Sequence, residues 1–170
     1  MRRIVSLCDR PQLIADIAAA HVTAFGELLP EWTIAQAEQE LRQHQRDAIP
    51  ASWLVENADG WLGSVSLLQE DHEEIPQYSP WLASLYVQPR ARGAGVAREL
   101  VNHCVAEAAR KGVDRLYLYC AAPLVAFYQA MGWQVQTHLP LHPLSVVVMV
   151  IQPLATTGTA AFAFGKKFNE

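Results

Sequence analysis

The sequence predicts an α/β fold, a mixed sheet flanked by helices. Segments with strand and helix patterning alternate along the chain. Hydrophobic residues make up 51% of the 170 positions and charged residues 18%, enough apolar material for one sizeable core. A nearly continuous apolar strand, Trp81–Val87, also runs through a glycine-broken turn into a long amphipathic helix, which suits a buried central strand.

Residues 3–8 read as a first strand, stopped by Asp9-Arg10-Pro11. Pro11 can open a helix to about Phe25, with Leu13, Ile14, Ile17, Ala18, His21, Val22 and Phe25 at helical spacing. Thr33 is a natural N-cap for a second helix to about Arg46, and Gln36 completes a capping box. Strands Ser52–Glu56 and Trp61–Leu68 follow, joined by Asn57-Ala58-Asp59-Gly60, whose Asp-Gly pair signals a hairpin. Residues 69–80 form an acidic, proline-bearing loop before strand Trp81–Val87. The helix Gly95–Lys111 gathers Val96, Ala97, Leu100, Val101, Cys104, Val105 and Ala108 on one face, and Gly112 caps it. Strand Asp114–Cys120, a short helix Leu124–Met131 and strands Trp133–Thr137 and Leu144–Gln152 complete the order. One domain over 1–153 is expected, followed by a tail, 154–170, that is either disordered or packed on a neighbour.

Charge and cysteine usage narrow the function classes. A net charge of −4 gives no basic field, which argues against nonspecific nucleic-acid binding. No apolar run approaches the length of a membrane span and no signal-peptide pattern opens the chain, so a cytoplasmic protein with no membrane partner is expected. Cys8, Cys104 and Cys120 are odd in number and widely spaced, suggesting neither a disulfide framework nor a metal knuckle. Cys104 reads as a buried, inert thiol. His138 and His142 flank Pro140, which excludes helical ligand spacing, and His103 has no partner at ligand spacing; no metal site is expected.

The chemistry is concentrated in Leu85-Tyr86-Val87-Gln88-Pro89-Arg90-Ala91-Arg92-Gly93-Ala94-Gly95-Val96-Ala97. A strand, a glycine turn and a helix N-terminus in that order aim backbone N–H groups and the positive end of the helix dipole at one spot, which suits a phosphate. Gly93 and Gly95 let a ligand approach the backbone closely, and Arg90, Arg92 and Arg98 add positive charge. The dinucleotide fingerprint fails because Arg98 stands where its third glycine belongs, and no P-loop Gly-Lys-Ser or Gly-Lys-Thr occurs. A second motif, Phe127-Tyr128-Gln129-Ala130-Met131-Gly132-Trp133, reads as a short helix ended by glycine before an aromatic strand entry.

Together, Arg90-x-x-Gly93-x-Gly95 and the Phe127–Trp133 segment resemble the GNAT superfamily of acyl-CoA-dependent N-acetyltransferases, over roughly residues 3–152 and most strongly over 81–134. The resemblance implies a mostly antiparallel sheet of six to seven strands, splayed at its centre. It also implies acetyl-CoA as co-substrate and direct attack of a primary amine on the thioester. The backbone of Leu85, Tyr86 and Val87 would hold the pantetheine arm, and Arg90, Arg92, Gly93, Ala94, Gly95, Val96 and Ala97 the pyrophosphate. Tyr128 would protonate the departing thiolate, or else serve only as a packing aromatic.

The sequence departs from the family pattern at two places. The strand Trp81-Leu82-Ala83-Ser84 lacks the glutamate that often serves as base. The nearest carboxylates, Asp71, Glu73 and Glu74 beside His72, form either a solvated loop or an amine-binding relay in which Glu73 or Glu74 passes the proton through water. The next strand ends in Cys120-Ala121-Ala122-Pro123 where the family often has Asn; an acyl-cysteine at Cys120 is disfavoured because direct attack needs no nucleophile. Trp32 lies in the inter-helix region that shapes the family's acceptor pocket, with Glu27 or Glu31 able to clasp an ammonium group. Tyr78 and Trp81 would line it from the other side or pack in the core.

The acceptor is expected to be a small polyamine-like, aminosugar or amino-acid amine, or a peptide amine; a homodimer is compatible with the sequence. A non-catalytic acyl-CoA-binding sensor or interaction module is the alternative, and a nucleotide-binding Rossmann domain a distant third.

Overall fold

The computed structural model describes residues 1–26, 30–70, 75–140 and 145–154. Its strands are β1 (Arg3–Ser6), β2 (Ala51–Asn57), β3 (Gly60–Leu68), β4 (Trp81–Val87), β5 (Leu116–Cys120), β6 (Gln134–Leu139) and β7 (Val146–Ile151). Its helices are α1 (Ile14–Phe25), α2 (Ile34–Arg42), α3 (Val96–Arg110) and α4 (Val125–Gln129). The seven strands form one open sheet in the order β1-β2-β3-β4-β5-β7-β6. The pairs β1–β2, β2–β3, β5–β7 and β6–β7 are antiparallel, and β4 meets β5 in parallel at Trp81↔Tyr117. The mixed, mostly antiparallel sheet expected from the sequence is therefore present.

Contacts divide the chain into two units. The first comprises 1–69 and 82–104. Here the buried faces of α1 (Ile14, Ile17, Ala18) and α2 (Ala37, Leu41) join Leu7, Leu54 and Trp61 in one apolar cluster. Polar side chains are threaded through the same unit. His21 Nε2 lies 3.1 Å from Ser64 Oγ, and His44 Nδ1 lies 2.6 Å from Ser52 Oγ, which is 2.6 Å from Ser66 Oγ. Pairing of this kind is what makes buried polar groups tolerable. Cys104, fully buried, points its thiol toward Ser66 O at 3.9 Å.

The second unit comprises 70–81 and 105 onward. Its core gathers Ile75, Trp81, Tyr117 and Val148, with Tyr78, Tyr119, Leu139 and Val150 against them. The valine-rich β7, flanked by β5 and β6, is buried along nearly its whole length.

Several boundaries move for local reasons. β1 stops at Ser6 because the Ser6 hydroxyl accepts from Cys8 N–H (3.1 Å) and caps a 3-10 turn. Pro11 opens another such turn, so α1 starts at Ile14. The capping box of α2 forms in both directions, Gln36 N–H to Thr33 Oγ1 (3.1 Å) and Thr33 N–H to Gln36 Oε1 (2.8 Å). That helix ends at Arg42, four residues early, because the next N–H groups tighten onto carbonyls three residues back: Gln43 to Glu40 and His44 to Leu41. β5 starts at Leu116 and β6 runs on to Leu139. The N-terminal end of the last strand and the tail beyond Leu154 fall partly or wholly outside the described residues. No described helix is long and apolar enough to cross a bilayer.

Candidate active site

The strand–turn–helix segment lies in the first unit. β4 carries an irregularity that alternation of side chains could not reveal: Ser84 has φ +53°, left-handed backbone in the middle of a strand. A non-glycine residue there costs on the order of 1–3 kcal/mol and persists only where its surroundings enforce it. Leu85–Val87, just beyond, are only half-buried. Gly63 on β3 accommodates this course, since a Cβ there would fall 2.7 Å from Tyr86 O.

Past Val87 the chain is tied back to β3. Gln88 N–H donates to Leu62 O (2.8 Å), and the side chains of Gln88 and Arg90 donate to Trp61 O (3.2 and 3.1 Å). Arg92 Nε donates to Val87 O at 2.9 Å, and its guanidinium lies 5.9 Å from the Tyr86 ring centre. Arg90 and Arg92 each spend one donor on the turn itself, in addition to the charge that the sequence suggested they bring to it.

Gly93 and Gly95 have φ +82° and +84°, which places both in the conformation that glycine adopts without a Cβ penalty. A Cβ at Gly93 would meet nothing within 4 Å, so the turn is open there. At the start of α3, Glu99 N–H donates to Gly95 O at 3.1 Å. Val96 and Ala97 open the helix, in the turn whose amides have no intrahelical acceptor. An exposed turn, amides at a helix entrance and the positive end of a 15-residue helix fit a phosphate group. Sequence reasoning missed Arg2, which donates to Ala94 O (2.7 Å) and pairs with Glu99 (2.9 Å).

Tyr86 is the hub of an aromatic group in this unit, with Trp61 at 5.9 Å and His21 at 6.4 Å between ring centres. His21 was legible only as one position of α1's apolar face. Burial, and secondarily the charge of His44, pushes its pKa down to about 4, so at neutral pH it is an uncharged partner of Ser64. Burial does the same to His44, also to about 4.

The second motif lies in the other unit. α4 carries Phe127 and Tyr128, whose rings meet edge-on at 5.0 Å. The helix ends at Gln129, and Met131 N–H and Trp133 N–H both return to Tyr128 O (2.9 and 3.2 Å) through Gly132 at φ +100°. The buried Trp133 ring stands edge-on to Tyr128 at 6.2 Å. Burial, then the neighbouring Cys120, pushes the Tyr128 phenol up to about 12, so its proton stays in place throughout the neutral range. Burial also raises the Cys120 thiol, whose sulfur lies 3.9 Å from Met149 Sδ; a protonated, enclosed thiol is a poor nucleophile.

Trp81 is completely buried among Tyr78, Tyr117 and Tyr119, so of its two expected roles it takes the packing one. Trp32 packs on the first unit's core and donates from Nε1 to Glu40 (3.0 Å). Glu31 is exposed. Glu27, Asp71, His72, Glu73, Glu74 and His142 lie outside the described residues.

Comparison with known proteins agrees with this layout. In solved structures, the fold is similar to a chimeric spermidine N-acetyltransferase from Vibrio cholerae and hSSAT, with TM-score 0.70 and 20% identity over 92% of this chain and 98% of that one. A Vibrio cholerae spermidine N-acetyltransferase in complex with CoA and spermine gives 0.67 and 18% over 92% and 98%. An aminoglycoside 6'-N-acetyltransferase complexed with coenzyme A gives 0.68 and 16% over 89% and 97%. At these identities the likeness is one of fold. A 64-residue stretch is 27% identical to an uncharacterised N-acetyltransferase of Prochlorococcus marinus, spanning 38% of this chain and 34% of that protein. The family model described as the acetyltransferase (GNAT) family matches residues 16–133, which run from α1 through the glycine turn to Trp133. With both motifs inside that match, the chain belongs to the GNAT family of acetyltransferases.

Proposed function

We propose that this protein is an acetyl-CoA-dependent N-acetyltransferase in which a bound primary amine attacks the thioester directly, and that residues 1–153 act as one catalytic domain. The observation that carries the reading is the glycine turn, left-handed at Gly93 and Gly95 and leading into α3, inside a chain of this family.

The amides of Gly93, Ala94, Gly95, Val96 and Ala97 would bind the pyrophosphate. Arg90 and Arg92 would act mainly by bracing the turn through Trp61 O and Val87 O. The backbone of Leu85, Tyr86 and Val87, beyond the Ser84 irregularity, would pair with the pantetheine amides, and one of its N–H groups would stabilise the oxyanion. Tyr128 would donate to the leaving sulfur. A thiol ionises near pH 8.5, so a phenol near 12 favours a hydrogen bond to the developing thiolate over early proton transfer. Glu73 and Glu74 would bind the cationic acceptor and relay its proton through water. A small polyamine or aminosugar is the first acceptor class to try, because similar folds belong to spermidine and aminoglycoside acetyltransferases.

The absence of an acid from Trp81–Ser84 favours a second reading, a non-catalytic acyl-CoA-binding module. Release of free CoA thiol from acetyl-CoA with spermidine or an aminoglycoside as probe separates the two. Amine-dependent release that falls in Glu73→Gln or Glu74→Gln supports the enzyme. Tight CoA binding without release to any amine supports the module.

A further inference from the structure

We propose that Arg2 is a positioning residue of the phosphate-binding turn, holding the Ala94 carbonyl and cancelling the charge of Glu99. The inference rests on the coenzyme A reading above. Arg2 stands 92 positions from Ala94 in sequence, yet its Nη2 donates to Ala94 O at 2.7 Å. The same Nη2 and the Nε reach Glu99 Oε2 at 2.9 and 3.2 Å. A Cβ at Gly95 would lie 3.5 Å from Nη2, so the guanidinium flanks the centre of the turn.

Two consequences follow from elementary geometry and charge. In a trans peptide the C=O and the following N–H point in opposite directions. The bond after Ala94 is not among the cis bonds of the described chain, so fixing its carbonyl on Arg2 turns the Gly95 N–H away from Arg2. Glu99, in the first turn of α3, would also offer its own carboxylate to the positive end of the helix and compete with a phosphate there. Arg2 neutralises that competitor. A guanidinium can do both jobs because its donors are fixed in a fork; an ammonium offers charge without the fork. Both side chains are partly exposed, 30% for Arg2 and 43% for Glu99, so the ion pair alone would be weak and the backbone bond matters.

Calorimetric titration of the full chain with CoA and with dephospho-CoA tests this. Arg2→Ala is expected to weaken both ligands by about ten-fold, the scale of one lost charge-assisted hydrogen bond. Arg2→Ala/Glu99→Gln and Arg2→Lys are each expected to recover part of that loss, to about three- to five-fold weaker than wild type, since the carboxylate is removed in one and countered in the other while the forked bond to Ala94 O stays lost in both. A merely structural role for Arg2 would give no rescue by Glu99→Gln. Should Arg2→Ala not fold, Arg2→Gln replaces it with the same expected loss. Arg2→Ala, or Arg2→Gln in its place, within about two-fold of a wild type that binds CoA overturns the inference alone, as does a double variant as weak as the single one. A wild type that binds neither ligand overturns the coenzyme A reading beneath it.

Discussion

Adding one methyl group at Gly63 should damage the site through backbone alone. The new Cβ would lie 2.7 Å from Tyr86 O, closer than real Cβ contacts come, and 3.1 and 3.2 Å from Leu100 Cδ1 and Val96 Cγ1. Leu100 and Val96 can yield by small rotations. The carbonyl cannot, because Gln88 N–H just beyond it is bonded to Leu62 O. Relief therefore requires β3 and the end of β4 to part by about half an ångström. Overpacking of this kind costs about 1–3 kcal/mol. For a chain of 170 residues, about 2 kcal/mol lowers Tm by roughly 4–8 °C. Tyr86 belongs to the strand end assigned to the pantetheine arm, so CoA affinity should fall as well. Urea unfolding and CoA titration of Gly63→Ala read both effects. Gly93→Ala provides the contrast, since its Cβ meets nothing and only the strain of φ +82° remains, about 1 kcal/mol. A Gly63→Ala protein within about 0.5 kcal/mol of wild type with unchanged CoA affinity would refute the close-approach argument.

The remaining predictions concern the chemistry and its pH range. Tyr128→Phe should lower kcat by about 100-fold or more while leaving CoA affinity intact, measured as thiol release with spermidine as probe; an unchanged kcat would assign Tyr128 to packing. Gly95→Val forces a β-branched residue to φ +84° and should abolish measurable CoA binding; retention of wild-type affinity would remove the turn from the site. His21 and His44 are held neutral in the fold, with pKa near 4 against 6.5 for the free side chain. The unfolded chain takes up their protons first, so their contribution to stability is complete above pH 6.5 and is lost as pH falls toward 4. For the buried His21 the loss is about 2 kcal/mol at pH 5 and about 3 near pH 4. Urea unfolding at pH 7 and pH 5 should show the fall, and His21→Gln should reduce it; an identical pH dependence in the variant would contradict the assignment.

The parts of the molecule legible in the sequence were those governed by local chemistry. Thr33 and Gln36 announced the cap of α2, Asp59-Gly60 the hairpin, and the apolar stripe of α3 its buried face. Gly93 and Gly95 announced the turn for the same reason, because the φ values they adopt are ones that side chains resist. What stayed hidden depends on residues far apart in sequence. Ser84 has no intrinsic preference for left-handed backbone, so nothing in its residue type announced φ +53°. Arg2 reaches its partners across more than ninety positions, and the inward bonds of Arg90 and Arg92 depend on where β3 runs. His21 looked like one more residue on a helical stripe, and only the fold brings Ser64 and Tyr86 to it. Trp81 permitted two roles, and its complete enclosure by tyrosines selected one.

The central claim is that the turn at Gly93–Gly95 is a coenzyme A site. Calorimetric titration of the wild-type protein with acetyl-CoA, with NADH as control, tests it most directly. Saturable one-to-one binding of acetyl-CoA in the micromolar range, with no heat from NADH, is the expected result. No binding of acetyl-CoA at millimolar concentration would contradict the claim and leave a GNAT fold whose turn holds no coenzyme.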